Sequence, residues 1–351
     1  MFSRDSASEG TLLLKSILMY SSAPVHLHII CDEDAREYLE DRLALVTQPR
    51  HNVHVRFYPM SQDKMLARIH REGAITTDHS AGVPGLMKLF IHEILPDTVK
   101  KTIFLDTDAF FISDPVLLWN RFDDFGPEAA LSMPTHFDQS APEWHNANRI
   151  CSCVMLLDLE KLRKLRLMDS SEYRKNPEGT PALSPPAFTA MFGPPGKSGH
   201  YEGVKLGDQG YWWAIVSHRP EILQHLHFDY EVSSCLVEMY GTQLGDDGAN
   251  ESSAKKTQVH VWDTVHQDDI ILPKVLHFNC LDGTPRFFEW EGWSDPKNPL
   301  TRTWGPAVSY HSGYKWLWLN QGQKDVQTMT VETIRAILFG DEQYGRTLSS
   351  S

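Results

Sequence analysis

The sequence predicts an α/β fold of βαβ units around a largely parallel sheet. Three observations carry that prediction. Residues 25–30 and 53–58 are rich in β-branched residues and alternate apolar with polar, the period of a half-buried strand. Between them, residues 32–45 place Ala35, Tyr38, Leu39 and Leu43 at helical spacing in a charged background. Further on, the apolar run 102–105 stops at Asp106-Thr107-Asp108, as a buried strand does at its exit. Strands alternating with helices in this way point to parallel strands joined by crossovers.

Each element has its own signal. Residues 12–19 are apolar and follow Ser6 and Ser8, two candidate N-caps, so they read as a helix. Residues 85–96 read as one helix stopped by Pro96. Residues 129–133 and 150–157 read as strands, the second running into a basic helix over 159–167. Residues 174–203 and 241–256 are rich in Pro, Gly or Ser and read as irregular loops. Five of the ten tryptophans (Trp290, Trp293, Trp304, Trp316, Trp318) fall after Phe287, where packing into the core is the ordinary role of such residues. No internal repeat interrupts the chain.

Composition narrows the function classes. At 351 residues with 41% hydrophobic content, the chain can bury a large core. Lys plus Arg is 33 against 46 Asp plus Glu, a net charge of −13. Such a surface repels phosphate backbones, which disfavours nucleic-acid and anionic-membrane partners. The five cysteines (Cys31, Cys151, Cys153, Cys235, Cys280) cannot all pair internally and include no C-x-x-C, so most read as buried small hydrophobes. No apolar run is long enough to span a bilayer, and the opening Met-Phe-Ser-Arg-Asp has no signal-peptide core. The sequon at Asn250 matters only in a secretory compartment.

The strongest chemical signal is Phe104-Leu105-Asp106-Thr107-Asp108. Residues two apart in an extended segment share a side, so both carboxylates can face one site. At ~4 Å and an effective dielectric of ~20, two unit charges repel by about 4 kcal/mol, which a divalent cation relieves. The plain alternative is a pair of exposed aspartates opening a turn. His277 ends the apolar run that begins at Lys274. Alone it reads as a packed histidine, but two carboxylates with one imidazole suit Mn²⁺ and leave room for phosphate oxygens. Asp208, in Gly207-Asp208-Gln209-Gly210, reads by itself as the cap of a helix continuing to Val216. Gly196-Lys197-Ser198 mimics the end of a P-loop, but Met191 holds the required glycine position and Pro194-Pro195 spoil the loop.

Taken in order, these segments resemble glycosyltransferase family 8, retaining enzymes of the GT-A fold that include glycogenin and the LARGE-type xylosyltransferase domain. The resemblance rests on residues 12–19, 79–89 and 104–108, on the family's DQ segment at Asp208-Gln209, and on its late histidine at His277. It covers roughly residues 1–285 and leaves 286–351 as a Trp-rich C-terminal extension. It implies metal-dependent transfer of a sugar from a UDP-sugar to a glycan or glycoprotein. Mn²⁺ or another divalent cation would sit on Asp106, Asp108 and His277. Lys88, Thr107, Ser152 and Asn279 would complete the donor site, with Lys88, Asp208 and Gln209 as the catalytic set. Family relatives of the LARGE type are Golgi proteins with an N-terminal anchor, and this sequence shows none; without one the chain would be cytoplasmic. Three departures stand out. The family's first strand should precede Phe2; Cys151-Ser152-Cys153 replaces its Asn-Ser/Thr-Gly; and its late lysine is absent, leaving Arg286 as a substitute.

Two other readings stay open on the sequence. A strand ending in D-x-D also resembles the nucleophile motif of HAD-type phosphatases, with Asp106 attacking phosphate and Asp108 as acid/base. Against it, Phe110 replaces the expected Thr or Val, and the strand does not open the fold. The Cys-Ser-Cys change leaves room for a non-catalytic sugar-nucleotide or glycan-binding relative.

Overall fold

The computed structural model describes residues 1–136, 140–169, 181–234, 272–281, 286–337 and 339. Helix α1 (Arg4–Tyr20) begins earlier than its apolar run, because Ser3 rather than Ser6 or Ser8 is the cap. The Ser3 hydroxyl accepts from the Ser6 N–H and the Ser6 hydroxyl from the Ser3 N–H, a reciprocal capping box. Strands β1 (Val25–Cys31) and β2 (Val53–Pro59) pair in parallel, Leu27 opposite Val55 and Ile29 opposite Phe57. Their crossover, α2 (Glu33–Leu43), is capped by Asp32 and buries Ala35, Leu39 and Leu43, the helical stripe read from the sequence.

Helix α3 (Gln62–Glu72) was not anticipated. Its polar sequence hides a buried stripe of Met65, Arg68, Ile69 and Glu72, in which two charges stand where apolar residues would mark the face. Residues 85–96 are not one helix. Helix α4 (Gly82–Leu86) passes into a 3₁₀ turn, Met87–Phe90, and then into α5 (Ile91–Ile94). The turn at Phe90, with φ −112° and ψ 10°, interrupts the α geometry. Tightening to about three residues per turn re-aims the side chains, so Leu89 and Phe90 are buried while Lys88 reaches the cavity described below.

A second sheet has the order β3-β6-β5-β7, from β3 (Lys101–Leu105), β5 (Leu131–Pro134), β6 (Val154–Asp158) and β7 (Leu223–Leu226). Its β3–β6 and β6–β5 pairs are antiparallel and β5–β7 is parallel, so the architecture is mixed. The strand expected from residue 150 begins only at Val154; a 3₁₀ turn (Ala147–Arg149) and the Cys151-Ser152-Cys153 segment precede it. It leads into α7 (Leu159–Lys164), capped by Asp158. The expectation that β3 is a buried strand also fails. Ile103, Phe104 and Leu105 are all half-buried, because one edge of β3 faces a cavity.

After β3 the chain turns through Asp106–Asp108 into β4 (Ala109–Phe111), which joins β9 (Val275–His277) and β8 (Val232–Ser233) in a small third sheet. Helix α6 (Pro115–Trp119) follows β4. Within the stretch read as irregular lies α8 (Ser184–Phe192), whose prolines occupy the first turn, where a missing N–H costs nothing. Helix α9 (Asp208–His218) carries the DQ segment, and the other predicted loop, 241–256, lies outside the described residues.

The C-terminal residues close back on the N-terminal ones. Strand β10 (Met329–Thr333) adds in parallel to the free edge of β2, giving the order β1-β2-β10. Helix α10 (Pro299–Gly313) ends over α1, where the buried Lys15 Nζ donates to the carbonyls of His311 at 2.6 Å and Tyr314 at 2.8 Å. A cation at that position satisfies carbonyls the helix leaves unpaired. Of the tail tryptophans, Trp304 is buried, whereas Trp318 is 56% exposed, so packing explains only part of the group. Cys31, Cys151 and Cys153 are buried free thiols, and Cys280 is disulfide-bonded. Among the described residues no helix is long and apolar enough to cross a membrane.

Candidate metal and donor site

A cavity of about 1680 Å³ opens where β3, the Cys151–Cys153 segment and the start of α9 meet. Lys88, Asp106, Thr107, Asp108, Ser152, Asp208, Gln209, His277 and Asn279 all line it. With one exception the site residues read from the sequence line this one cavity, although they come from separate elements. Arg286 does not join them; it is engaged by Glu289 at 2.5 Å and Asp5 at 3.7 Å and is absent from the cavity wall.

Asp106 and Asp108 face one side as expected, but across a turn rather than along an extended strand. One ligand atom from each, with one from His277, lies within 4.8 Å of the others. The His277 Nε2 is 3.5 Å from an Asp108 oxygen, and its Nδ1 is 3.1 Å from Glu231. Glu231, fully buried, also takes His136 Nε2 at 3.3 Å. A carboxylate behind a histidine that faces a metal site fixes the ring's orientation. Burial would depress the His277 imidazolium, yet Asp108, Cys151 and Glu231 together hold its pKa well above the ordinary value. Burial likewise opposes the Asp108 carboxylate, and His277 overcomes it, so Asp108 stays ionised below its usual range.

Lys88 is the cationic centre of the other half. Its Nζ lies 2.9 and 3.0 Å from the two oxygens of Asp106, 3.5 Å from Asp208 and 3.4 Å from the Ser152 carbonyl. Burial would lower the Lys88 pKa, but the two aspartates raise it beyond its normal range. Asp208 is 5% exposed, and its pKa is pushed up to about 6 by burial and by Asp106, with Lys88 opposing. It does not cap α9. Gly207 holds that position with φ +59°, and Asp208 is the first helical residue. Gln209 fixes the neighbouring segment, accepting from the Ser152 N–H at 3.4 Å and donating to the Ala147 carbonyl at 2.9 Å. Asn279 accepts from the Ser233 hydroxyl at 2.7 Å.

Gly210 explains the last letter of the Asp-Gln-Gly segment. A Cβ there would sit 2.4 Å from the Lys205 carbonyl oxygen, inside any tolerable contact. Gly210→Ala must therefore displace the turn that sets Asp208 and Gln209. We expect a loss of about 1–3 kcal/mol, read as a lower denaturant midpoint at unchanged m-value.

Two acids were invisible in the sequence. Glu9 of α1 accepts from the Thr107 hydroxyl at 2.9 Å and from the Phe287 N–H at 3.1 Å, tying the D-x-D turn to the tail. Burial and the nearby Asp108 push its pKa up to about 7. Glu231 carries no local motif and meets His277 only through the β8–β9 pairing. The cavity wall near the D-x-D turn thus holds Glu9, Asp106, Asp108, Asp208 and Glu231 against Lys88, His136 and His277. That excess of carboxylates, with oxygen and imidazole donors together, fits a hard divalent cation.

No protein-family model matches the chain. Among curated proteins, it is 35% identical to mouse xylosyl- and glucuronyltransferase LARGE2 over 144 residues, 41% of this chain and 19% of that protein. It is 32% identical to zebrafish (Danio rerio) xylosyl- and glucuronyltransferase LARGE1 over 167 residues, 44% of this chain and 21% of that protein. The chain thus spans about a fifth of the length of these relatives. Among solved structures, apo mouse xyloside xylosyltransferase 1 aligns with a TM-score of 0.53 at 19% identity, covering 81% of this chain and 97% of that one. The homologues are LARGE-type enzymes of glycosyltransferase family 8, and the fold is GT-A, as the sequence resemblance implied.

Proposed function

We propose, from this kinship with LARGE-type glycosyltransferases, that the chain is a metal-dependent, retaining sugar transferase using a UDP-sugar donor and a glycan or glycoprotein acceptor. The observation that carries the reading is the convergence of Asp106, Asp108 and His277 with Lys88 in one cavity beyond the end of β3. In this reading residues 1–285 form the transferase unit and 286–351 an aromatic-rich C-terminal extension.

Asp106, Asp108 and His277 would hold a divalent cation, Mn²⁺ by the mixed oxygen and nitrogen donor set. Bound there, the cation supplies positive charge for the diphosphate as it leaves the anomeric carbon. Lys88 is positioned to add a second fixed positive charge on the same side, already held protonated by Asp106 and Asp208. Asp208, 3.5 Å from the Lys88 Nζ, and its neighbour Gln209 would contact the donor sugar in this reading. Gln209 also orients Ser152, whose backbone it holds. Thr107 and Asn279 line the donor side. The disulfide at Cys280 favours an oxidising compartment, in keeping with the Golgi lumen where the family's LARGE-type members work.

The test is calorimetry of the full chain with UDP and Mn²⁺, followed by a donor-hydrolysis screen over UDP-xylose, UDP-glucose, UDP-galactose, UDP-GlcNAc and UDP-glucuronate. Metal-dependent UDP binding with turnover of one donor is the expected result. Absence of metal-dependent UDP binding in folded protein sinks the reading. UDP binding without turnover of any donor favours the non-catalytic relative, in which Cys151-Ser152-Cys153 has displaced the sugar contact. Phosphate release from simple monoesters, lost in Asp106→Asn, would instead favour a phosphatase.

A further inference from the structure

Directly behind the D-x-D turn lies a second set of ligand atoms, which the transferase reading does not employ as ligands. Cys151 and Cys153 stand where the family pattern has asparagine and glycine, and their free thiols meet Glu231 and His277 in one buried cluster. None of the four residues is more than 8% exposed. The two Sγ atoms are 2.7 Å apart, the Cys151 Sγ is 4.0 Å from His277 Nδ1, and that nitrogen is 3.1 Å from a Glu231 oxygen. One ligand atom from each residue lies within 4.8 Å of the other three. Ligands held by one ion at ~2.0–2.3 Å in a tetrahedron stand roughly 3.3–3.8 Å from one another. The cluster therefore closes on an ion with each atom moving by about 1 Å or less, the sulfurs parting and the Cys151–His277 pair drawing in.

The surroundings suit such an ion. The Cys151 N–H donates to the Pro134 carbonyl at 3.1 Å and the Cys153 carbonyl accepts from the Asp106 N–H at 2.9 Å, so the segment is fixed at both ends. Ser233 of β8 pairs with His277 of β9, which brings Glu231 alongside. The second Glu231 oxygen faces His136 Nε2 at 3.3 Å, and an Asp108 oxygen faces His277 Nε2 at 3.5 Å. A carboxylate on the far side of a ligating histidine fixes the orientation of its ring. All four residues line the cavity, which gives an ion a way in.

We propose that Cys151, Cys153, Glu231 and His277 form a second metal site, selective for Zn²⁺. Two thiolates disfavour the hard cations that suit Asp106 and Asp108, while the carboxylate and imidazole disfavour Cu⁺, which prefers sulfur. On binding, each thiol releases its proton to solvent and its sulfur donates a lone pair to the ion. His277 offers Nδ1 to this site and Nε2 to the D-x-D side, so neither site takes the other's ligand atom. The ion would pin the segment that carries Ser152 to β8 and β9. The inference needs no sugar donor and no turnover, so it stands or falls apart from the transferase reading.

The test uses the full chain, isolated under a mild reductant, stripped with a chelator and titrated with Co²⁺. The thiolate-to-cobalt charge-transfer band reports sulfur ligation, which Asp106 and Asp108 do not supply. One equivalent should give that band with the visible spectrum of a tetrahedral ion, both removed by Zn²⁺ and retained under excess Mn²⁺. Cys151→Asn with Cys153→Gly, which restores the family's residues, should fold and lose the band. Asp106→Asn should keep it. Glu231→Gln should weaken Co²⁺ binding by at least about tenfold, with a thermal melt showing that the variant is folded. A folded, reduced wild-type chain without the band, a band that survives in the double variant, a cobalt affinity unchanged in Glu231→Gln, or a Cys151–Cys153 disulfide in chain isolated with zinc present would each overturn the proposal.

Discussion

Asp108→Asn is expected to abolish metal-dependent UDP binding and to lower donor turnover by about 10²–10³-fold. The change is nearly isosteric, so its effect is electrostatic. It removes one of the two carboxylates of the ligand set and the charge that His277 Nε2 faces at 3.5 Å. Asp108 is about a quarter exposed, its side chain at 27%, so the neutral amide carries little folding penalty. Calorimetry with UDP in the presence and absence of Mn²⁺, beside a thermal melt, separates the two effects. A variant that still binds UDP with the same metal dependence, at unchanged Tm, would remove Asp108 from the metal site.

The largest stability effect is expected at Arg68. Its side chain is fully buried, donating to Glu93 at 2.8 and 2.9 Å and to Glu72 at 3.1 Å, while its guanidinium lies 4.2 Å from the Phe90 ring centre. Arg68→Met leaves two buried carboxylates without their cation, a loss of about 3–5 kcal/mol at neutral pH. The pH dependence follows from Glu72. Burial pushes its pKa up to about 7 from 4.5 even with Arg68 opposing. Between those values the folded state binds more protons than the unfolded one, so stability falls as pH rises through the window. Without Arg68 the Glu72 carboxyl shifts further up, and the deficit grows with pH. Urea denaturation at pH 5 and pH 8 checks this: the gap between wild type and Arg68→Met should be wider at pH 8. An equal gap at both would mean that Glu72 is not the group left stranded.

The parts of the site that were legible share one property: their chemistry is written in adjacent residues. Asp106-Thr107-Asp108 at the end of an apolar run is such a local pattern, whereas Asp208 and His277 read by themselves as a helix cap and a packed histidine and entered the site only through the resemblance. Lys88 was placed in the site only through the resemblance, since the 3₁₀ turn that re-aims it has no separate sequence mark. Glu9 and Glu231 were missed because each joins the site through tertiary contacts, with Thr107 and Phe287 in one case and His277 in the other. Helix α3 was missed for a different reason: its inward stripe contains Arg68 and Glu72, so the apolar period is broken by a buried ion pair. The half-buried β3 shows the limit of reading a strand by itself, because its exposure comes from the cavity along its edge, which the apolar run cannot reveal.

The pairing of β10 with β2 sets the order of events in synthesis and folding. Met329 lies opposite Val53, so the far edge of this sheet stays uncovered until residues 329–333 have emerged. During that interval β2 presents a bare, apolar edge, a template for pairing with other chains. A chain shortened at residue 285 would keep that edge permanently and would be prone to self-association, whatever the state of its metal-binding residues. The same long-range closure makes folding slow relative to a chain with local contacts, since its loop must be ordered before the pairing stabilises anything.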